Sequence, residues 1–165
     1  MDEVPPVQPE RERAIDLAYR ALATRDRTVA EMRACLERKR VEPAAIEEAV
    51  LELHDQGYLD DARYARRFAE DKRTLERWGT ERIAQDLRRR GVGRELVEAI
   101  VAEQDRDSEL HAALALLAAR LPDPPTDDRA RDCALRLLLR RGYEAELAYE
   151  AVRIHGRRPS DRRAA

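Results

Sequence analysis

The chain has 165 residues, of which 40 % are charged and 4 % aromatic, and its 34 acidic and 32 basic side chains leave a net charge of −2. That length suits one ordinary domain or a short array of small repeats. The near-cancelling charge counts against a protein whose main task is coating DNA, because such affinity rests on neutralising phosphates.

Ala, Leu, Arg and Glu dominate, and these are helix formers. A sheet sandwich would want more β-branched and aromatic residues. The predicted class is therefore all-α, built from thin amphipathic helices. Residues 1–10 are acidic and Pro-rich, carry no hydrophobic signal segment, and read as a disordered tail. A first helix is predicted from Glu12 to Arg25, with Ile15, Ala18, Tyr19 and Leu22 at helical spacing. A second opens at Thr28, where Thr28-Val29-Ala30-Glu31 spells a capping box ahead of the stripe Val29, Met32 and Leu36. A third starts at Pro43, since proline is welcome where its missing N–H has no partner anyway. It carries Ile46, Ala49, Val50 and Leu53, and Gly57 supplies the left-handed backbone that ends it.

The next segment, Gly57-Tyr58-Leu59-Asp60-Asp61 followed by Tyr64, sets two carboxylates side by side. Adjacent carboxylates suggest acid–base or metal chemistry, yet no His, Lys or nucleophile accompanies them. Helix initiation accounts for them instead. Asp60 sits at an N-cap, Asp61 places negative charge in the first turn, and Leu59 with Tyr64 occupies the two positions of a hydrophobic staple.

Further on, Lys72, Arg73 and Arg77 form a basic patch beside Trp78. Trp78 adjoins Gly79 at a helix junction and reads as a packing residue rather than a base-stacking platform. Arg88-Arg89-Arg90 ends the following helix at Gly91, and Arg140-Arg141 ends a later one at Gly142. Between them, the loop Pro122-Asp123-Pro124-Pro125-Thr126-Asp127 must interrupt the helical pattern. The stretch from Gly156 to Ala165 is basic and reads as a second disordered tail.

An internal repeat organises these elements. Shifting the sequence by 51 positions aligns Met32, Ile83 and Ala134, then Leu36, Leu87 and Leu138. Val41, Val92 and Tyr143 follow, then Ile46, Val97 and Ala148, then Val50, Val101 and Val152; Ala14, Ala65 and Leu116 align upstream. The expected organisation is three tandem three-helix repeats, at residues 11–59, 60–107 and 108–155, forming an elongated, curved array in which each repeat leans on its neighbours. Arg40 occupies the position of Gly91 and Gly142, so a different turn or a longer second helix is expected there. The cation clusters Arg38-Lys39-Arg40, Arg88-Arg89-Arg90 and Arg140-Arg141 share the period. Each cluster alone reads equally as a solvated helix end. Recurrence would set them along one edge, where arginines engage acidic protein or phosphate.

Cys35 and Cys133 match no metal or redox spacing and read as small apolar residues on helices. His54, His111 and His155 are scattered and are expected at the surface. No phosphate loop or nucleophile elbow is present, so neither an enzyme, a cofactor nor a metal is expected. No apolar run is long enough to span a membrane, which fits a cytoplasmic protein.

Gly57-Tyr58-Leu59-Asp60-Asp61, then Tyr64-Ala65, then Gly79, Ile83, Leu87, Gly91 and Val92 at their fixed spacing resemble the central repeat of the RecX family. The resemblance extends over about residues 12 to 154. Arg90-Gly91 stands where the family usually has lysine-glycine, and the proline-rich loop and Arg40 are further departures. The resemblance implies a monomeric, non-enzymatic regulator that binds the RecA recombinase filament on single-stranded DNA and restrains its ATPase, strand-exchange and coprotease activities, in homologous recombination, DNA repair and the SOS response. The residues expected to carry filament binding are Arg88, Arg89, Arg90, Arg140 and Arg141, with Lys72, Arg73 and Arg77, acting on acidic RecA surface and on the DNA backbone. Gly57, Tyr58, Leu59, Asp60, Asp61, Tyr64, Gly91 and Gly142 are assigned to the fold. Two rival readings use the same helices: a helix-turn-helix DNA-binding protein, which should bind naked duplex with strong salt dependence, and a generic helical scaffold.

Overall fold

The computed structural model describes residues 7–157. Among these residues it is all-helical: α1 (Val7–Leu22), α2 (Val29–Arg38), α3 (Pro43–Asp55), α4 (Asp61–Glu76), α5 (Thr80–Arg89), α6 (Arg94–Ala102), α7 (Arg106–Arg120), α8 (Asp128–Arg141) and α9 (Ala145–His155). The 51-residue period reappears in the helix starts, since α3, α6 and α9 begin at Pro43, Arg94 and Ala145. It reappears in burial too. Met32, Ile83 and Ala134 are all buried, as are Leu36, Leu87 and Leu138, then Val41, Val92 and Tyr143.

The local signals that start and stop these helices act as their chemistry dictates. Thr28 and Glu31 form the reciprocal capping box of α2, with the Glu31 amide donating to Thr28 Oγ1 at 3.1 Å and the Thr28 amide to Glu31 Oε2 at 3.4 Å. Pro43 begins α3. Asp105 and Asp127 cap α7 and α8, accepting from the amides of Ser108 at 2.9 Å and Ala130 at 2.7 Å. The proline-rich loop separates α7 from α8, as its prolines require.

Three expectations are corrected. Helix α1 runs from Val7 to Leu22 instead of from Glu12 to Arg25. Val7–Glu10 therefore belong to a helix and not to a disordered tail; Pro9 is accommodated in the first turn, where no helical acceptor awaits an N–H. Residues 1–6 and 158–165, the remainder of the two proposed tails apart from the turn at Gly156 and Arg157, lie outside the described residues. At its other end α1 stops early because the Ala21 carbonyl is taken by side chains, Thr24 Oγ1 at 2.7 Å and Arg27 Nε at 3.2 Å.

The second correction concerns Arg40, which adopts the same left-handed turn as the glycines. Its φ is +57°, beside +80° at Gly91 and +82° at Gly142. In all three turns the hydrogen bonds form a Schellman motif. Arg40, Gly91 and Gly142 donate to the carbonyls of Glu37, Arg88 and Leu139 at 2.8, 2.9 and 3.0 Å. Val41, Val92 and Tyr143 donate to those of Leu36, Leu87 and Leu138 at 3.2, 3.1 and 3.2 Å. Burying the apolar residue that closes the motif, together with two paired carbonyls, outweighs the roughly 1 kcal/mol that a left-handed arginine costs.

The third correction is His155, which is buried, its Nε2 2.7 Å from the Leu121 carbonyl. It stands 102 residues from Leu53, two periods on, and so inherits a core position. His54 and His111 are exposed. Cys35 is half-buried and Cys133 exposed, both on helices and both free.

The chain divides into two compact units. One comprises the described residues up to Arg67 together with Leu87–Leu96; the other comprises Phe68–Asp86 and the described residues from Val97 on. The core of the first gathers Ala14 and Ala18 from α1, Met32 and Leu36 from α2, and Ala45, Ile46, Ala49, Val50 and Leu53 from α3, with Val41 and Leu59. The core of the second gathers Ala113, Leu114, Leu116 and Leu117 from α7, Ala134 and Leu138 from α8, and Leu147, Ala148, Ala151 and Val152 from α9, with Tyr143. Truncating any of the leucines that are fully closed off would cost about 2–5 kcal/mol.

Candidate interaction surface

Each unit contains a joint where the Schellman turn of one repeat meets the start of the second helix of the repeat before it. In the first unit the turn after α5 meets the N-terminus of α2. The Arg90 carbonyl accepts from Thr28 Oγ1 at 2.6 Å, so one hydroxyl both caps α2 and grips the turn. Gly91 lies so close to α2 that a Cβ on it would fall 2.3 Å from Ala30 Cβ. Asp61, at the start of α4, accepts from the Val29 amide at 2.9 Å and so satisfies a helix N–H that lacks an internal acceptor. The Arg90 guanidinium donates to Glu31 Oε1 and to the Tyr64 hydroxyl, both at 3.1 Å.

The second unit repeats the arrangement with other atoms. The Arg141 carbonyl accepts from the Gly79 amide at 2.8 Å, and the Gly142 carbonyl from the Glu81 amide at 3.1 Å. A Cβ on Gly79 would lie 2.2 Å from the Gly142 carbonyl oxygen, and one on Gly142 would lie 2.2 Å from Arg82 Cβ. Glu109 takes the part of Asp61, accepting from the amide and the hydroxyl of Thr80 at 2.8 and 2.9 Å. The Arg141 guanidinium donates to the Glu76 carbonyl, and the Tyr143 hydroxyl to the Arg77 carbonyl at 3.2 Å. At the corresponding turn of the first repeat, Arg13 from α1 donates to the Lys39 carbonyl at 3.0 Å.

The joints shift several titrations. Burial pushes the Glu31 carboxyl up, but the hydrogen bond and charge of Arg25, the Thr28 amide and the Arg90 charge outweigh it and hold the group below its ordinary value. Burial raises the Tyr64 phenol. Burial, reinforced by the nearby Glu109 charge, pushes Tyr143 up to about 12. Each of these shifts favours the ionisation state that the hydrogen bonds need at neutral pH.

The residues proposed for binding divide accordingly. Arg90 and Arg141 are half-buried and spend both carbonyl and guanidinium on the joints. Arg88, Arg89 and Arg140 are exposed at the ends of α5 and α8, as are Arg38, Lys39 and Arg40 at the end of α2. Lys72 lies 4.8 Å from the centre of the Trp78 ring while Arg82 lies 4.0 Å from it, so Trp78 is a packing residue held between cations. Arg73 is half-buried, donates to the Ile100 carbonyl at 3.2 Å, and has its pKa lowered by desolvation. Arg77 is exposed, with a left-handed φ of +53°.

Among the structural residues, Gly57 has φ +74° and open space around it, Leu59 is fully buried, and Asp60 caps α4 by accepting from the Arg63 amide at 2.9 Å. That bond holds the Asp60 carboxyl below its ordinary value. The joint roles of Asp61 and Glu109 were not visible in the sequence. Glu109 gives itself away only as a charged residue that is almost wholly buried. Among the described residues no group of three or more His, Cys, Asp and Glu side chains is placed to hold a metal, and no helix is long and apolar enough to cross a membrane.

Comparison with known proteins agrees with this architecture. Residues 14–53 match the first three-helix domain of RecX, and residues 60–100 match the second. The regulatory protein RecX of Deinococcus radiodurans is 37 % identical over 144 residues, covering 87 % of this chain and 69 % of that one. That of Trichlorobacter lovleyi is 37 % identical over 134 residues, covering 79 % and 87 %. The crystal structure of RecX from Lactobacillus salivarius shares the fold, with a TM-score of 0.79 at 17 % identity over 89 % of this chain and 97 % of that one. With its repeats, its joints and its relatives in agreement, the chain belongs to the RecX family of regulatory proteins.

Proposed function

We propose that this protein regulates the RecA recombinase by binding the RecA–single-stranded-DNA filament and restraining its ATPase, strand-exchange and coprotease activities. It acts through contact rather than catalysis, as a monomer in the cytoplasm, in recombinational repair and the SOS response. Membership of the RecX family supports the regulatory role in general. The observation that carries the finer reading is the split within the arginine clusters. Arg90 and Arg141 are consumed by the joints, whereas Arg88, Arg89 and Arg140 beside them stay exposed. Exposed guanidiniums at helix ends can reach the carboxylates or phosphates of a partner, and ordering each long side chain costs about 0.5–1.5 kcal/mol of that gain. The contact set therefore narrows to Arg88, Arg89 and Arg140, with Arg77 as an exposed neighbour of the second joint.

The test is ATP hydrolysis by a preassembled RecA filament as the protein is titrated in. A fall at substoichiometric protein is expected, and it favours capping or disassembly over simple coating. No change with folded protein would remove RecA as the partner. Reversing Arg88, Arg89 and Arg140 together should weaken the effect while helicity is unchanged, and full inhibition by that variant would remove these residues from the contact.

A further inference from the structure

We propose that a recess in the first unit, enclosed by Arg27, Arg63, Arg67, Tyr58 and Tyr64, is a binding site for a nucleotide phosphate. The recess has a volume of about 200 Å³ and is lined by these five side chains with Asp26 and Asp60. Two separate stretches of chain supply it: the turn between α1 and α2, and the approach and first turns of α4. Three guanidiniums against two carboxylates leave the recess with an excess of positive charge, which favours an anion.

The fold uses little of their donor capacity. Arg27 Nε donates to the Ala21 carbonyl at 3.2 Å, Arg63 Nη2 to the Gly57 carbonyl at 2.6 Å, and Arg67 Nη1 to Asp26 Oδ2 at 3.0 Å. Each guanidinium has five N–H groups, so these bonds orient the three side chains and leave most donors for a ligand. The two carboxylates offset them only in part. Asp60 is engaged at the α4 cap through the Arg63 amide, and Asp26 is tied to Arg67 in a pair whose members are 65 % and 71 % exposed. An exposed pair of that kind contributes little, so an incoming anion displaces the carboxylate cheaply.

The geometry selects phosphate over carboxylate. A carboxylate has two oxygens, enough for one bidentate fork, whereas a phosphate offers more oxygens to several forks at once. The aromatic wall points to a base next to that phosphate. Tyr58 is 55 % exposed, yet its ring is fixed edge-on against Tyr19, with centroids 5.4 Å apart and planes at 89°. Tyr19 is in turn hydrogen-bonded through its hydroxyl to Gln56 Oε1 at 2.5 Å. An exposed aromatic ring supported on one edge leaves its face open for a base to stack on. The phosphate and base come either from a free nucleotide or from a single strand, and the experiment separates the two.

This inference does not depend on RecA being the partner. The test follows the arginine side-chain Nε–H resonances of the full chain by NMR during separate titrations with AMP, inorganic phosphate and a short deoxythymidine oligonucleotide, without RecA. Saturable shifts at Arg27, Arg63 and Arg67 are expected with AMP and the oligonucleotide. Equal affinities mean a free-nucleotide site, and a much tighter oligonucleotide, weakening with salt, means a strand. The exposed Arg67→Ala should cost about tenfold in affinity without disturbing the fold, and Asp26→Asn should tighten binding about two- to threefold by removing the competing carboxylate. Shifts spread over the surface, or binding unchanged in both variants, would overturn the site. Such a failure would leave the RecA titration as it was, so the two readings fail separately.

Discussion

The Thr28 hydroxyl donates to the Arg90 carbonyl at 2.6 Å while accepting from the Glu31 amide at 3.1 Å. Two residues 62 positions apart are thus joined by the same oxygen that starts a helix. Thr28 is fully buried, so neither bond can be replaced by water. Thr28→Ala is expected to destabilise the protein by about 1–3 kcal/mol, the sum of a lost cap and an unpaired buried carbonyl, and Thr28→Ser by much less. Urea unfolding followed by circular dichroism checks this; equal losses in the two variants would show that the hydroxyl is not the source.

Glycines separate backbone strain from crowding. Gly57 and Gly91 have similar positive φ values, +74° and +80°. A Cβ at Gly57 meets nothing within 4 Å, whereas one at Gly91 meets Ala30 Cβ at 2.3 Å. Gly57→Ala should therefore cost only the left-handed term, about 1 kcal/mol, and Gly91→Ala clearly more. Adding Ala30→Gly to Gly91→Ala should recover part of the excess beyond what Ala30→Gly costs alone, which a double-mutant cycle of unfolding free energies measures.

Arg40 presents the opposite opportunity. It is exposed and holds φ +57° in a turn whose two counterparts are glycine. Arg40→Gly should raise stability by a few tenths of a kcal/mol, up to about 0.5, since the relief of the left-handed strain exceeds the added freedom of the unfolded chain. A melting temperature unchanged or lowered would mean that the arginine side chain contributes packing that offsets its strain.

Glu31 links the first joint to pH. Its folded carboxyl titrates below its ordinary value. A depressed carboxylate adds stability that is complete above the unfolded pKa and is lost as pH falls through the folded one. Unfolding free energy should therefore decline on acidification below the ordinary glutamate range, and Glu31→Gln should flatten part of that decline. Parallel pH profiles for the two proteins would show that other carboxylates carry it.

Neighbouring arginines should behave differently under the same substitution. Arg90→Glu places a carboxylate beside Glu31 and removes the bond to Tyr64, so a loss of about 2–4 kcal/mol is expected. Arg88→Glu, on an exposed side chain, should stay within about 0.5 kcal/mol of the parent. Thermal unfolding of the two variants distinguishes them before any assay with a partner is begun.

The capping box at Thr28, the start at Pro43, the break at the proline-rich loop and the 51-residue register of Leu36, Leu87 and Leu138 were all legible in the sequence. They depend on residues a few positions apart or on a period that recurs along the chain, and such patterns survive in one dimension. Local signals were less reliable where a side chain reached past its neighbours. Thr24 and Arg27 ended α1 early by taking the Ala21 carbonyl, and Arg40 followed its glycine counterparts because the turn around it was closed by buried Val41. What only the tertiary structure decided was which member of each cation cluster is spent. Arg88 and Arg90 look alike in sequence, yet the turn after α5 sets Arg90 against Thr28, Glu31 and Tyr64 while Arg88 stays in solvent. The same holds for Asp60 and Asp61: the first caps its own helix and the second caps a helix 32 residues upstream. A hydrogen bond between distant segments depends on where packing brings them, and no spacing along the chain encodes that distance.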